Sequence, residues 1–379
     1  ELVDRKNSVV LVDHDPRILM DADQLIEIGP GAGKEGGRIV TQGTPLEAEK
    51  NPHSLIGPYL SGKESLKVRS RATEKDMFEN GSIRIKTKPF YTVKALDVSI
   101  PKGRMIAVTG VSGSGKTSLV IECLVPALQA VIQGTKLPEH VDSIEAKGIQ
   151  SVKVIDSKPI GANVRSTVAT YDGVFDDLRK LFARTADAKA KGLTAGDFSY
   201  NTGKLRCPVC DGTGIITMDV QFLPDVDTIC PSCGGSRYGK DAYDILWKSK
   251  EKDSVSVSLP GLLKLTVEEA AGILHEETKI AKQLKILQDL GVCYLTLGEA
   301  TPALSGGEAQ RLKLAYEMET PQQGSVFVFD EPTIGLHPQD VKKLVLIFDH
   351  LIQLGATVIV IEHDLELVTN CDYIIDLGP

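Results

Sequence analysis

Apolar residues in this chain are concentrated in short, β-branched runs that end at charged or glycine-rich turns. Residues 106–109 and 325–329 are two such runs, and each has the length of a buried strand. Apolar residues recur with helical spacing over 118–132, directly after the first run, and again over 312–318. Strands that alternate with helical segments are typical of folds built on a parallel sheet. The pattern therefore predicts an α/β chain.

One strand–turn–helix–strand pattern is present at both ends of the chain. Residues 8–30 read SVVLVDHDPRILMDADQLIEIGP, and residues 357–379 read TVIVIEHDLELVTNCDYIIDLGP. The two copies align without a gap at an offset of 349 residues, and the polar positions that match are His14 with His363, Asp15 with Asp364, Asp23 with Asp372, and Gly29-Pro30 with Gly378-Pro379. This agreement indicates a duplication. We expect a chain that begins near the end of one α/β unit, ends near the end of a second, and belongs to a longer protein.

Composition limits the class of protein. The chain has 379 residues and a formal net charge of −8, which argues against a protein coated in basic residues, such as a histone-like packager. Apolar residues make up 42% and charged residues 25%, so a large core is expected, and no apolar run is long enough for a membrane span. Seven cysteines are too few for a disulfide scaffold at this length; Cys123, Cys293 and Cys371 stand alone and are expected to be core thiols.

Residues 110–117 read GVSGSGKT and lie between the first strand and the helical segment after it. The spacing G-x-x-x-x-G-K-[ST] is that of a phosphate-binding loop, in which glycines let backbone N–H groups face phosphate oxygens at a helix start. Lys116 is expected to bridge the β- and γ-phosphates, and the Thr117 hydroxyl to bind Mg²⁺. The predicted ATP-binding residues are Gly110, Ser112, Gly113, Ser114, Gly115, Lys116, Thr117 and Ser118.

Two further segments complete the predicted nucleotide chemistry. Asp330 and Glu331 follow the strand at 325–329; they could cap a turn, but beside a phosphate loop Asp330 is expected to hold Mg²⁺ and Glu331 to polarise the attacking water. A glycine-rich helix start precedes the apolar positions of 312–318 and is a second candidate anion site. Its residues are Leu304, Ser305, Gly306, Gly307, Glu308 and Gln310.

Four cysteines form two C-x-x-C pairs between these segments. Cys207, Cys210, Cys230 and Cys233 follow the spacing C-x2-C-x19-C-x2-C, and two such knuckles complete a tetrahedral Zn²⁺ site with no open position. The predicted zinc is therefore structural, and a redox role for either pair is the alternative. Residues 216–226 between the pairs predict a strand or hairpin arm.

Basic residues are frequent near this module and are interleaved with Phe198, Tyr200 and Phe222. Such a mixture suits contact with a nucleic-acid backbone, and it equally suits a solvated face above core aromatics. The candidate DNA-binding residues are Arg165, Arg179, Lys180, Lys204 and Arg206.

These motifs together resemble ATP-binding-cassette (ABC) ATPases. By that likeness, LSGGEAQR at 304–311 resembles the signature motif, which closes on the γ-phosphate of a nucleotide held by an opposite cassette. His363 resembles the switch histidine that senses this phosphate, so Glu331 and His363 are the predicted catalytic residues. The predicted fold is an α/β, ABC-type P-loop cassette with an inserted four-cysteine zinc module and a helical signature subdomain.

A more specific resemblance covers nearly the whole chain. The segments RCPVC, CPSCGGSRY, LQDLGVCYLTLGEATPALSGGEAQRLKLA, FDEPTIGLHPQD and VIVIEHDLELV are similar to those of the UvrA family. The resemblance implies a cytoplasmic, homodimeric ATPase with two cassettes, ATP, Mg²⁺ and Zn²⁺, which recognises damaged duplex DNA in nucleotide excision repair. It also implies a UvrB-like partner that docks upstream of Glu1, and no membrane partner.

The same resemblance divides the chain. Its predicted parts are a tail of the first cassette at 1–62, a linker at 63–82, the ATP-binding core of the second cassette at 83–164, an inserted signature subdomain at 165–295 with the zinc module at 207–233, and the rest of the second cassette at 296–379. The signature motif that would complete the site at Lys116 belongs to the other cassette. We therefore expect nucleotide binding but weak ATP hydrolysis, unless two copies pair.

Departures from the family pattern leave alternatives open. Ser157 stands where the family has the glutamine of its Q-loop, and residues 165–171 and 248–262 follow the pattern only in part. A UvrA-like paralogue for tolerance of drugs or DNA intercalators is the first alternative. A transport motor is the second, although a zinc insertion has no role there, and a zinc-stabilised interaction module with a vestigial ATP site is the third.

Overall fold

The computed structural model describes residues 2–31, 36–64, 67–161, 163–218, 226–249, 255–318 and 322–378. The chain divides into two compact units, each of which is described by itself. Unit 1 comprises Glu1–Asp156 and Gln322–Pro379, and unit 2 comprises Ser157–Pro321. No helix among the described ranges is long and apolar enough to cross a membrane.

The elements are numbered in chain order. The strands are β1 (Leu25–Gly29), β2 (Arg38–Gly43), β3 (Ser82–Thr87), β4 (Asp97–Pro101), β5 (Met105–Gly110), β6 (Val141–Glu145), β7 (Ser151–Ile155), β8 (Ile215–Met218), β9 (Val226–Ile229), β10 (Leu246–Lys248), β11 (Ser256–Ser258), β12 (Ser325–Asp330), β13 (Thr357–Ile361) and β14 (Tyr373–Leu377). The α-helices are α1 (Pro16–Met20), α2 (Pro45–Lys50), α3 (Gly57–Leu60), α4 (Val125–Gln133), α5 (Val168–Tyr171), α6 (Val174–Ala183), α7 (Ala186–Ala190), α8 (Leu259–Leu263), α9 (Val267–Ile273), α10 (Thr278–Asp289), α11 (Gly306–Met318), α12 (Pro338–Gln353) and α13 (Leu365–Val368). In the described part of the chain, 3₁₀ turns lie at Lys240–Asp244 and Thr301–Ala303, and a π-helical segment precedes α4 at Ser118–Leu124.

A five-stranded parallel sheet forms the centre of unit 1, in the order β14-β5-β13-β12-β7. Every residue of β13 is buried, as are the first five of β12, because both faces of the sheet are covered. On one face an apolar cluster joins β5, β12 and β13 to β3 and the helix after β5. On the other face, Phe348 of α12 lies 4.4 Å from Phe329 between ring centroids. The predicted α/β fold with a parallel sheet is confirmed.

The helix after the phosphate-binding loop begins with wide turns and then becomes regular. Pro126 lies in its second half, where a proline has no N–H to donate to the carbonyl four residues earlier. That carbonyl belongs to Glu122, and it accepts instead from His140 Nε2 at 2.8 Å. The proline therefore accounts for the change from π-helical to α-helical turns at this point.

The two sequence copies share their local structure from the His-Asp turn onward. Asp15 caps α1 and Asp364 caps α13, each through a carboxylate that accepts a backbone N–H of the helix. Asp13 and Glu362, which also match at the offset of 349, each accept the backbone N–H groups of the next two residues. The duplication inferred from the sequence is thus reproduced in side-chain hydrogen bonds.

The predicted strand at the start of the first copy is wrong. Residues 8–13 form no strand, and Val10, Leu11 and Val12 are 89%, 69% and 92% exposed. The equivalent run in the second copy is β13, which pairs with β5 on one side and β12 on the other. An apolar, β-branched run becomes a strand only when neighbours accept its backbone hydrogen bonds, and no described residue pairs with 8–13.

Part of the predicted linker at 63–82 packs against β14 and α12. The Arg69 guanidinium contacts Asp372 at 3.1 Å and Asp349 at 2.9 Å. The Asp372 side chain is fully buried, and its carboxylate also accepts the backbone N–H of Ala72 and of Met105, each at 2.8 Å. Residues 67–72 are therefore fixed to the sheet of unit 1 by charged and hydrogen-bonded contacts.

Unit 2 is mainly helical and contains the cysteine module. Helices α6, α9 and α10 pack around buried leucines and phenylalanines, such as Leu178, Phe182 and Leu284. The arm predicted at 216–226 is the antiparallel hairpin β8–β9. Residues 219–225, which include Phe222, lie outside the described residues.

Candidate nucleotide site and zinc site

The phosphate-binding loop connects β5 to the helical segment at Ser118. Gly110 has φ +134°, and a Cβ there would lie 2.1 Å from the carbonyl oxygen of Leu377, so only glycine fits. Lys116 is buried and its ammonium donates to the carbonyls of Gly110 and Val111, at 2.9 and 3.0 Å. The loop is thus closed around Lys116, which places a positive charge at its centre.

A second polar group in this loop suits a phosphate ligand. The Ser114 hydroxyl is buried and has no hydrogen-bond partner among the described residues. Buried hydroxyls are almost always hydrogen-bonded in folded proteins. Ser114 lies directly before Gly115 and Lys116, so a phosphate oxygen in the loop would satisfy it.

Tyr91 is a residue at this loop that the sequence analysis missed. It lies in a two-residue turn between Phe90 and Val93, has φ +49°, and is 81% exposed. The neighbouring Thr92 hydroxyl would lie 2.8 Å from a Cβ on Gly115, so this turn contacts the phosphate-binding loop. The sequence around Tyr91 contains no motif that indicates this role. The exposed ring and the left-handed backbone at Tyr91 are visible only in the structure.

The acidic pair and the histidine lie at the same edge of the parallel sheet as the loop. Strand β13 lies between β5 and β12, so the strands that end at Gly110 and Asp330 are two strand spacings apart, about 10 Å across the sheet. Glu331 follows Asp330 with φ +47°, and its backbone N–H donates to Ile361 at 2.9 Å. This strained conformation turns the Glu331 side chain away from the strand direction.

Glu331 and His363 face each other at the sheet edge. His363 Nε2 lies 3.5 Å from Glu331 Oε1, and both side chains are about half exposed. Glu362 directly precedes His363 in the sequence and is buried. Its carboxylate accepts the backbone N–H of His363 at 2.9 Å and of Thr333 at 3.4 Å. Burial raises the pKa of Glu362, although these hydrogen bonds act in the opposite direction. Glu362 therefore positions the loop at Thr333 and the loop at His363. Its match with Asp13 in the other sequence copy is the signal by which the sequence could have identified it.

The predicted signature residues form a capped helix start in unit 2. Helix α11 begins at Gly306, and the Glu308 carboxylate accepts the Ser305 N–H at 2.7 Å and the Tyr294 hydroxyl at 2.7 Å. Burial opposes ionisation of Glu308, but these bonds lower its pKa, whereas burial and Glu308 raise the pKa of Tyr294 to about 12. Leu304 and Gln310 are buried below this turn.

Ser157, at the position of the family's glutamine, lies against this helix start. A Cβ on Gly306 would be 3.1 Å from the Ser157 carbonyl oxygen and 3.2 Å from its Cβ. Both residues belong to unit 2. A side chain at position 306 would therefore crowd Ser157 at the first turn of α11.

All four predicted zinc ligands come together in unit 2. The Sγ atoms of Cys207, Cys210, Cys230 and Cys233 lie within 4.8 Å of one another, with Cys207–Cys230 at 4.0 Å and Cys210–Cys233 at 3.7 Å. A tetrahedral zinc with Zn–S bonds of about 2.3 Å requires sulfurs about 3.8 Å apart. The four thiols therefore fit a zinc ion, and the Gly214 N–H donates to Cys210 Sγ at 3.3 Å as an outer-shell contact.

The candidate DNA-binding cations are each paired with an acidic neighbour. Their partners are Asp211 for Arg165 and Arg206, Asp176 for Arg179, Asp177 for Lys180, and Asp197 for Lys204. Phe198 and Tyr200 are fully buried, so they are core aromatics, as in the alternative of a solvated face above core aromatics. Their hydrophobic burial in unit 2 outweighs their position between basic residues in the sequence.

Two of the three single cysteines are buried, as predicted for core thiols. Cys123 and Cys371 are fully buried, and burial raises their pKa to about 11 and about 12. Cys293 is half-buried.

Comparisons with known proteins agree with this geometry. No protein-family model matches the chain. The whole chain is 42% identical to UvrABC system protein A of Staphylococcus aureus (strain COL) and of Aquifex aeolicus (strain VF5), and it spans 39% and 40% of their lengths. Among solved structures, UvrA2 from Deinococcus radiodurans matches 97% of the chain with a TM-score of 0.86 and 38% identity; the chain covers 43% of that protein. The chain is therefore similar over its whole length to proteins of the UvrA family, has the ABC-type cassette fold, and spans about two fifths of the length of these relatives.

Proposed function

We propose that this chain is the part of a UvrA-like excinuclease subunit that binds and hydrolyses ATP while the protein recognises damaged DNA. The observation that carries the proposal is the shared sheet edge of unit 1. There, the loop around Lys116, the Asp330–Glu331 pair and His363 all follow the carboxyl ends of parallel strands. Ligands bind at this end of open α/β sheets.

The residues at this edge have separate roles in the proposed reaction. Lys116 and the N–H groups of the loop hold the triphosphate, and the freed ammonium exchanges two backbone carbonyls for phosphate oxygens. Thr117 and Asp330 provide oxygen ligands for Mg²⁺. Glu331 takes the proton of the attacking water, with His363 at 3.5 Å as its neighbour. The Tyr91 ring provides a surface for the base.

The remaining features are assigned to DNA and to partners. Zinc at the four cysteines fixes the β8–β9 hairpin and the loops that carry Arg165 and Arg206. These two cations share Asp211, so contact with a DNA phosphate would replace a partly exposed carboxylate. The homodimer, the UvrB-like partner and the cytoplasmic location follow from the family likeness, as does the division into cassette tail, linker, core and insertion.

The test combines nucleotide and DNA binding. Lys116→Ala is expected to weaken ATP binding by at least tenfold, because it removes the central charge of the loop, whereas Lys75→Ala, an exposed lysine in unit 1, leaves it unchanged. Fluorescence anisotropy with lesion-bearing and intact duplexes then measures the DNA preference. Equal ATP binding by both variants, or negligible, salt-insensitive binding to both duplexes, would contradict the proposal.

A paralogue that acts in tolerance of drugs or intercalators is a second candidate function. The observation that favours it is Ser157, which departs from the family glutamine and contacts the first turn of α11 at Gly306. This candidate predicts tighter binding to a duplex with an intercalated ligand than to one with a covalent bulky adduct. The reverse order, unchanged in Ser157→Gln, supports the repair function instead.

A further inference from the structure

Unit 2 contains an open cavity of about 500 Å³, of whose lining only Arg165 was among the predicted site residues. Asn163 and Arg165 line one side, Tyr171 and Tyr316 line another, and Asn201 contributes a further amide. The volume lies within the range of small-ligand sites in proteins, roughly 300–1,000 Å³. Its lining combines aromatic rings with hydrogen-bonding groups and one cation.

The aromatic side of the cavity is accessible. Tyr316 is 48% exposed, on helix α11, and its ring centroid lies 5.6 Å from that of Tyr171 at an angle of 48°. The other described aromatics of this region, such as Phe198, Tyr200 and Tyr238, are fully buried. Tyr316 therefore presents a ring face that a planar ligand could cover.

The polar side holds an unsatisfied cationic group. Arg165 Nη1 is buried and has no hydrogen-bond partner among the described residues, while Nη2 contacts Asp211 at 3.4 Å. A buried, unpaired guanidinium N–H is costly, and an anionic oxygen would satisfy it. The Asn163 and Asn201 side chains add amide groups that can both donate and accept.

The loop that carries these groups is held rigidly. The buried Tyr200 hydroxyl donates to the Arg165 carbonyl at 3.0 Å, and Arg237 donates to the Val164 carbonyl at 2.8 Å. Arg237 follows the second cysteine knuckle, and its guanidinium lies over the Tyr200 ring at 5.2 Å. The zinc module therefore fixes one wall of the cavity before any ligand binds.

We propose that this cavity binds one unpaired nucleotide of a DNA strand, with the base on Tyr316 and the phosphate at Arg165. The proposal rests on the proposed DNA-binding function and names the form of DNA that this site recognises. Tyr316 lies ten residues after Gly306 on the same helix, about 15 Å along its axis. A nucleotide in the cavity would therefore contact the same continuous helix that begins at the signature turn.

The experiment compares variants of Tyr316 in the full chain. Tyr316→Ala is expected to weaken binding of fluorescein-labelled oligothymidine, and of a duplex with an unpaired bubble, by roughly 5- to 150-fold, the range of base–aromatic stacking. Tyr316→Trp retains or strengthens binding because the ring face is kept. Tyr243→Ala removes an exposed tyrosine of unit 2 outside the cavity and serves as the matched control.

Three results would overturn the inference. The first is equal binding of oligothymidine by Tyr316→Ala and Tyr243→Ala, with zinc content unchanged. The second is the same loss on fully paired and bubble duplexes, which would place Tyr316 in general DNA contact. The third is displacement of oligothymidine by an equal concentration of thymidine monophosphate, which would make free nucleotides the ligand. If the natural chain binds neither oligothymidine nor either duplex, the proposed function itself is refuted.

Discussion

A methyl group at Gly110 tests how closely the phosphate-binding loop is packed against β14. In Gly110→Ala, the new Cβ would lie 2.1 Å from the Leu377 carbonyl oxygen and 2.9 Å from the Ser114 hydroxyl. An ordinary carbon–oxygen contact is about 3.5 Å, so the carbonyl must move by more than 1 Å. Leu377 pairs with Gly110 in the sheet, and this movement breaks the end of the β5–β14 ladder.

The expected magnitude follows from two terms. The left-handed φ of +134° costs an alanine about 1–3 kcal/mol, and the overpacking against Leu377 adds about 1–3 kcal/mol. Gly113 in the same loop is the control: its φ is +80°, and a Cβ there has nothing within 4 Å. Gly113→Ala therefore loses only about 1 kcal/mol, and the two variants should differ by about 1–5 kcal/mol in the free energy of unfolding.

Urea unfolding followed by two probes measures this difference. Far-ultraviolet circular dichroism follows both units, whereas the fluorescence of Trp247, the single tryptophan, follows unit 2. Gly110→Ala is expected to lower the urea midpoint of the dichroism change that comes from unit 1. The midpoint of Trp247 fluorescence, which follows unit 2, should stay unchanged. Equal midpoints for the two variants would refute the packing argument, and so would a shift seen only by Trp247.

Two further predictions concern unit 2. The purified chain is expected to contain one zinc ion, measured by atomic absorption, which Cys210→Ser loses and Cys371→Ser keeps; retention by both variants would contradict the tetrathiolate site. The raised pKa of Tyr294, about 12, predicts that its stabilising effect is complete below pH 10 and is lost as pH rises to 12, because the unfolded chain ionises first. Between pH 9 and 12, the unfolding midpoint of Tyr294→Phe should therefore fall less steeply than that of the natural chain, and parallel curves would rule out this contribution.

Local motifs were predictable because neighbouring residues determine them. The spacing of glycines around Lys116 and the paired cysteines each specify a turn, and the structure places them as strand–loop–helix and as a four-sulfur cluster. The fold class followed from the apolar runs for the same reason. These predictions needed only short-range geometry.

Predictions that depend on distant partners were weaker. The run at 8–13 has the composition of a strand but no described neighbour, and the candidate DNA-binding cations are paired with acidic residues up to 46 positions away, as Arg165 is with Asp211. Tyr91 was missed because its place at the phosphate-binding loop depends on the turn it shares with Thr92, which lies against Gly115. Periodicity and composition describe each segment alone, and they contain no information on which segments pack together.

The buried carboxylate of Asp372 decides how far a fragment of unit 1 must extend towards the N-terminus to keep its sheet stable. Two of its contacts come from residues 67–72, so a protein shortened to start at residue 83 would lose the Arg69 guanidinium and the Ala72 amide from this buried charge and keep the Met105 amide. The minimal autonomous piece must therefore extend to residue 67 or earlier. A fragment that begins at residue 83, the predicted start of the ATP-binding core, would lose the contacts of residues 67–72 that stabilise this sheet.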